Sequence, residues 1–451
     1  MRTGKENYTM NNKKMINFFR ENNNIIIMLL FPCLIFIMNF IQNDVVKLLI
    51  YSISYIGMVL YLFYICKFRI KSVLVMFSVF HMVFIGIGPI PSAIRVGIYY
   101  PKTYNLILIS YYVFCLTVYI IYNSSYYKEK CNKLSKEIKK ENINHKKIII
   151  SSYVLIIISM IAEAVYLIKN FQFLFGGNME QGRITSLQGN GILLYSMWFG
   201  LVGLSCLLKL VLNNKYNVKL FFLIYLIYGL SSVLIGFRSR FITLILITVL
   251  LYIQEKKEIP FKKIALYGSV ILIVTVLLGG IRSVLSGNGS LKMFTSLSII
   301  FENGVLNLNN IMNSFPQKVK YQYGYTFFLN FIMLKPGPDV DFTLWLKEML
   351  NMKFAGGGVT PTLVGELYIN FGHIGTYIAF SILAGILVLL DELYKRKIST
   401  FNVVVIIWAM LIACRGGIAN SEINILLFVI VYNFVMFISR KEGKNEKHSI
   451  I

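Results

Sequence analysis

Apolar residues run along this chain in long blocks rather than in alternation. Stretches rich in Ile, Leu, Val, Phe and Tyr and nearly free of charge recur from one end to the other. Most are roughly 17–25 residues long, enough for a helix to cross a hydrocarbon layer of ~30 Å. Twelve blocks stand out, at about 25–42, 48–66, 72–89, 104–122, 148–168, 190–212, 219–236, 241–253, 264–280, 374–390, 400–414 and 423–439. The blocks at 241–253 and 400–414 are short and are expected to extend into their flanks. The pattern predicts an all-α integral membrane protein, a single polytopic domain over residues 1–451 with about 12 transmembrane helices. The first block, Asn24 to Ile41, follows a polar, basic stretch with no small-residue cleavage site, and reads as a retained first helix rather than a signal peptide.

Composition agrees with this class. The chain is 57% hydrophobic and only 14% charged, against about a quarter charged for a soluble surface. The formal net charge of +25 would suit a nucleic-acid binder, but its distribution points elsewhere. With both termini placed on the cytoplasmic side, the inner segments are 1–24, 67–71, 122–147, 213–219, 255–263, 392–399 and 440–451. They hold about 29 of the 45 basic residues, as the positive-inside rule requires. The segment 122–147 sets Lys128, Lys130, Lys133, Lys136, Lys139, Lys140, Lys146 and Lys147 against three glutamates. It reads as a cytoplasmic retention loop touching anionic membrane lipid, and no nucleic-acid partner is expected. The six cysteines, Cys33, Cys66, Cys115, Cys131, Cys206 and Cys414, show no CxxC pairing, so neither a disulfide framework nor a zinc site is expected.

The outward face carries the candidate chemistry. One connection is long, roughly residues 281–373, and function concentrates in such loops. Four arginines lie at outer span ends, against the charge bias: Arg238 and Arg240 in Gly236-Phe-Arg-Ser-Arg240, Arg282 in Gly279-Gly-Ile-Arg282, and Arg415 in Cys414-Arg-Gly-Gly417. Guanidinium groups bind phosphate through paired, charge-assisted hydrogen bonds, so four of them at headgroup level suit an anionic lipid diphosphate. The alternative is that they snorkel to ordinary headgroups. Within the loop, Asp341–Phe354 spaces its apolar residues as an amphipathic helix does. It either lies at the interface with Trp345 as anchor or packs on the bundle as a cap. A glycine run then leads through Thr360-Pro361 to a predicted helix start carrying Glu366, Tyr368 and Asn370, followed by Phe371-Gly372-His373. Glu366 and His373 are the acid and the histidine of this stretch, and either could act as general base. Glu366 could instead pair with an arginine, and His373 could be a hydrogen-bonded structural residue. Glu163, near the outer end of the fifth block, is an intramembrane acid and a weaker candidate, with helix packing as its other role.

The arginine hairpin ending at Arg240, the single late outer loop and the stretch Gly-Gly-Gly-Val-Thr-Pro-Thr-Leu-Val-Gly-Glu-Leu-Tyr-Ile-Asn-Phe-Gly-His-Ile-Gly375 together resemble the Wzy-type oligosaccharide repeat-unit polymerases of O-antigen and capsule assembly. The layout fits across nearly the whole chain, and the diagnostic motifs cover about residues 236–375. The resemblance implies a GT-C-like, metal-independent membrane glycosyltransferase of the bacterial cytoplasmic membrane, with no cofactor. Its donor and acceptor would be undecaprenyl-diphosphate-linked glycans, and a flippase and a chain-length regulator would be its partners. Carried onto this chain, Arg238, Arg240, Arg282 and Arg415 would hold the diphosphates, and Glu366 or His373 would assist the acceptor hydroxyl. Some members place a glycine eleven positions after a motif arginine. That spacing does not follow Arg238, Arg240 or Arg282 here. A ligase that transfers finished glycan shares this layout. A flippase would be expected to show two matching halves, which the single late loop breaks.

Overall fold

A computed structural model describes residues 28–69, 71–96, 100–124, 143–175, 190–234, 237–255, 293–334, 341–354, 358–397 and 400–440. Apart from one isolated bridge between Ile143 and Arg440, the regular structure among the described residues is helical. In chain order the helices are α1 (Met28–Met38), α2 (Asp44–Ile65), α3 (Val73–His81), α4 (Ile90–Val96), α5 (Pro101–Asn123), α6 (His145–Phe175), α7 (Gly191–Ser196), α8 (Phe199–Leu212), α9 (Val218–Leu234) and α10 (Arg238–Glu255). They continue with α11 (Met293–Ser314), α12 (Phe342–Met349), α13 (Thr362–Lys395), α14 (Thr400–Gly416) and α15 (Glu422–Ile438). A π-helical turn, Met82–Gly86, extends α3, and a 3-10 segment, Tyr325–Leu334, precedes α12.

Each predicted span falls on a helix except 264–280, which lies outside the described residues. Five stretches are long and apolar enough to cross a membrane: Asp44–Ile65, Pro101–Asn123, His145–Phe171, Gly191–Leu212 and Thr362–Lys395. Shorter apolar helices accompany them. Their outer faces make the membrane reading physical. Leu49, Ile53, Ile56 and Leu60 on α2, Ile374, Ile378, Ile382 and Ile386 on α13, and Ile430, Phe434 and Phe437 on α15 are all exposed. Spacings of three and four put each set on one helix face. Such apolar stripes are costly in water and neutral in lipid. The opposite faces pack inward, as Tyr51, Tyr55, Met58 and Leu62 do on α2.

Local chemistry starts and joins the helices. Asn43 caps α2 by accepting from the amides of Val45 (2.9 Å) and Val46 (3.2 Å), and Pro101 begins α5 where its missing N–H costs nothing. Helix α8 is the most enclosed and runs along α6. Gly203 lets the two backbones meet, because a Cβ there would lie 2.6 Å from the carbonyl oxygen of Ser152. At one end of the bundle the buried Asp391 accepts from the amide of Val73 (2.7 Å) and the hydroxyl of Tyr122 (3.0 Å), and pairs with Lys395. Lys397 pairs with Glu255 at the same end (3.0 Å).

The segment expected to be an outer loop carrying short helices is more regular where described. Helix α11 packs against α13 and the π turn, with Gly304 close to the carbonyl of Phe84. Helix α12 is capped by Asp341, which accepts from Leu344 N at 2.8 Å. It buries Phe342 and Leu346 and packs Trp345 against the core, so it caps the bundle. The tenth span, expected from residue 374, belongs to a helix that begins at Thr362 and kinks at Gly372 (φ 65, ψ −163). Here the helix changes direction and continues, with the Thr376 hydroxyl donating to the Gly372 carbonyl at 2.7 Å.

Candidate functional site

At the end of the bundle opposite Asp391, the first turns of α13 organise a polar knot. Glu366 and Asn370 are four residues apart and share one buried face. Asn370 donates to the Thr326 hydroxyl (2.6 Å) and to the Glu366 carbonyl (2.9 Å), and accepts from Gly324 N (2.8 Å). These bonds tie the 3-10 segment to α13. Glu366 is fully buried. Its carboxylate accepts from the backbone amides of Ile418 and Ala419 (3.2 Å to Ala419) and from the Thr326 hydroxyl (3.4 Å).

Those two amides belong to the turn between α14 and α15, directly after Arg415-Gly-Gly417. Gly417 has φ +83, and a Cβ on it would lie 2.4 Å from Glu366 Oε2. Only glycine lets the carboxylate reach the turn. Asn330 clamps the other side, donating to the Ala419 carbonyl (2.7 Å) and accepting from Phe342 N (2.9 Å). Arg415 stands exposed in the last turn of α14, on this clamped turn. His373, also exposed, follows the Gly372 kink and stands edge-on to Tyr368, ring centroids 5.0 Å apart. The Tyr321 ring fills the space a Cβ on Gly372 would need.

Arg240 is placed differently. It is 2% exposed, and its Nη1 donates to Glu163 Oε1 at 3.4 Å. Its guanidinium lies against the rings of Phe237 (4.2 Å) and Trp198 (5.6 Å). Arg238 begins α10, but its side chain lies outside the described residues, as does the whole of Arg282.

The family model described as O-antigen polysaccharide polymerase Wzy matches residues 24–444. The chain belongs to the Wzy polymerase family. No curated protein and no solved structure matches it.

As a Wzy polymerase, this is a multi-pass membrane protein of a family that acts on lipid-linked oligosaccharide repeat units in the membrane. The structure brings Glu366 and the Arg415 turn together, with His373 beyond the kink on the same helix. Glu366 takes the backbone amides of Ile418 and Ala419 and the Thr326 hydroxyl as partners, and Glu163 takes Arg240. Among the described residues, no group of three His, Cys, Asp or Glu side chains is arranged to hold a metal. Sequence reasoning passed over Thr326, Asn330 and Glu422. Glu422 opens α15 beside the clamped turn, within electrostatic reach of Glu366, and its Oε1 is buried with no hydrogen-bond partner among the described residues. A Ser-Glu pair opening an apolar block was the available signal.

Proposed function

We propose that this Wzy polymerase joins undecaprenyl-diphosphate-linked repeat units into O-antigen or capsular polysaccharide on the outer face of the cytoplasmic membrane. The observation that carries the reading is the turn bearing Arg415, pinned by the buried Glu366 at the end of the bundle opposite Asp391. In the proposed topology twelve spans place both termini in the cytoplasm, and the fold is GT-C-like. A hydroxyl at the non-reducing end of the acceptor unit attacks the anomeric carbon of the growing chain. The bond from that carbon to the donor diphosphate breaks, and the diphosphate departs with the electron pair. Arg238, Arg282 and Arg415, with Arg240 from below, hold the diphosphates and stabilise the charge that develops on the leaving group, so the step needs no metal. His373, exposed beside Tyr368, takes the hydroxyl proton. Glu366 acts by fixing the turn that presents Arg415. A flippase supplies the units and a chain-length regulator sets the polymer size.

Deleting the gene in its host and running the surface glycan on a gel tests this. Loss of the long-chain ladder, with single units still on their normal carrier, is the expected result. Polymer retained on its lipid carrier would instead indicate a ligase, and units trapped on the inner leaflet a flippase. An unchanged ladder would overturn the glycan reading.

A further inference from the structure

Glu163 on α6, to which the reaction scheme above gives no role, belongs to a polar cluster around Arg240 inside the bundle. Its carboxylate is 3% exposed. Ser231 donates to Oε2 at 2.6 Å and Ser232 to Oε1 at 2.8 Å, both from α9. These bonds are shorter than the 3.4 Å contact from Arg240 Nη1. The carboxylate is therefore seated mainly by the serines, and the arginine leans on it with one loose bond. Arg240 carries five N–H donors, and its Nε, although buried, has no hydrogen-bond partner among the described residues. A guanidinium kept only for packing would be expected to close a short, paired contact with its carboxylate. Here the rings of Phe237 and Trp198 hold it, and a donor remains unused.

We propose that Glu163 is a positioning residue: seated by Ser231 and Ser232, it holds the Arg240 guanidinium against Trp198 and Phe237 so that its unused N–H donor serves a phosphate oxygen of the lipid diphosphate. This rests on the diphosphate reading given above. It adds a carboxylate 77 residues before Arg240, and two hydroxyls 68 and 69 residues after that carboxylate, to the groups that set substrate affinity.

The test uses the full-length protein in lipid nanodiscs, titrated with undecaprenyl diphosphate. Binding is read from thermal protection and from tryptophan fluorescence, since Trp198 lies against the guanidinium. Ser231→Ala/Ser232→Ala keeps both charges and removes only the seat. It is expected to weaken the dissociation constant about tenfold, the scale of losing two hydrogen bonds to a charged group in part, and to lower the unliganded melting temperature because a buried carboxylate loses two donors, so affinity is compared at a temperature where both proteins are folded. Glu163→Gln is expected to weaken binding at least as much, and Glu163→Asp to recover part of it. Wild-type affinity in the folded serine variant overturns the inference and leaves the polymerase reading standing. If Glu163→Gln fails to accumulate, the serine variant decides. Wild-type protein that does not bind undecaprenyl diphosphate overturns both readings.

Discussion

Two adjacent glycines should respond to alanine in opposite ways. Gly416 ends α14 in ordinary helical backbone, and a Cβ there would meet the side-chain nitrogen of Asn420 at 3.1 Å, the far end of a movable group. Gly417 sits at φ +83, and its Cβ would lie 2.4 Å from Glu366 Oε2 and 3.2 Å from the Pro361 ring. The left-handed backbone alone costs alanine roughly 1–2 kcal/mol. Displacing the carboxylate also strips buried amides of their charged acceptor, at about 1–3 kcal/mol for each group left unmet. With both the Ile418 and Ala419 amides affected, Gly417→Ala should therefore destabilise the protein by roughly 3–8 kcal/mol in all, a loss large enough to count as severe, whereas Gly416→Ala should stay within about 1 kcal/mol. Thermal unfolding in nanodiscs measures the first effect, and the polymer ladder of complemented deletion strains measures its consequence. Equal behaviour of the two variants would refute the claim that Glu366 reaches the turn only because residue 417 is glycine.

Further expectations follow from the same contacts. Gly372→Ala, at φ +65 with Tyr321 in the way, should cost on the order of 2–3 kcal/mol, and Tyr321→Ala should relieve only the steric part in a thermal-shift comparison. Asn370→Leu removes the bonds to Thr326 and Gly324 and should lower stability by about 1–3 kcal/mol, read as a reduced melting temperature. Arg240→Ala leaves Glu163 as a buried unpaired charge and should cost about 3–5 kcal/mol, visible as poor accumulation in membranes. His373→Ala, on an exposed side chain, should accumulate normally yet lose about 10²–10⁴-fold in polymerisation rate. A variant with full activity would remove His373 from the reaction.

How far the sequence could be read depended on which physical constraint each part answers to. Lipid imposes a length and a polarity on every helix, so α2, α5 and α6 were legible as apolar blocks. The start of α13 was legible too, because Thr360-Pro361 before an apolar run marks a helix entrance. The tenth span was drawn from residue 374, where the continuous apolar run begins, whereas the helix it belongs to starts at Thr362 and turns at Gly372 beside Tyr321. The amphipathic spacing of 341–354 was visible, but not its choice between membrane surface and bundle. That choice depends on Asn330, which binds the Phe342 amide from another element. The pairing of Arg240 with Glu163 was out of reach for the same reason: both residues stood out singly, but nothing local joins positions 77 apart. The charge bias singled out Arg415, yet the carboxylate beside its turn was read as a general base or as an arginine's partner, because backbone donors leave no mark on a sequence.

The clamp on the Arg415 turn also has a temporal meaning. Ribosomes deliver this chain from its amino end, and Glu366 enters the membrane 52 residues before Ile418, the amide it binds. Until α14 and α15 are threaded behind it, the carboxylate has the Thr326 hydroxyl but lacks the two amides that complete its shell. Threading of the α14–α15 hairpin thus completes the site around Glu366. A nascent or truncated chain that stops short of it should be left open to membrane quality-control proteases, so that only completed copies persist to handle the cell's lipid-linked sugars.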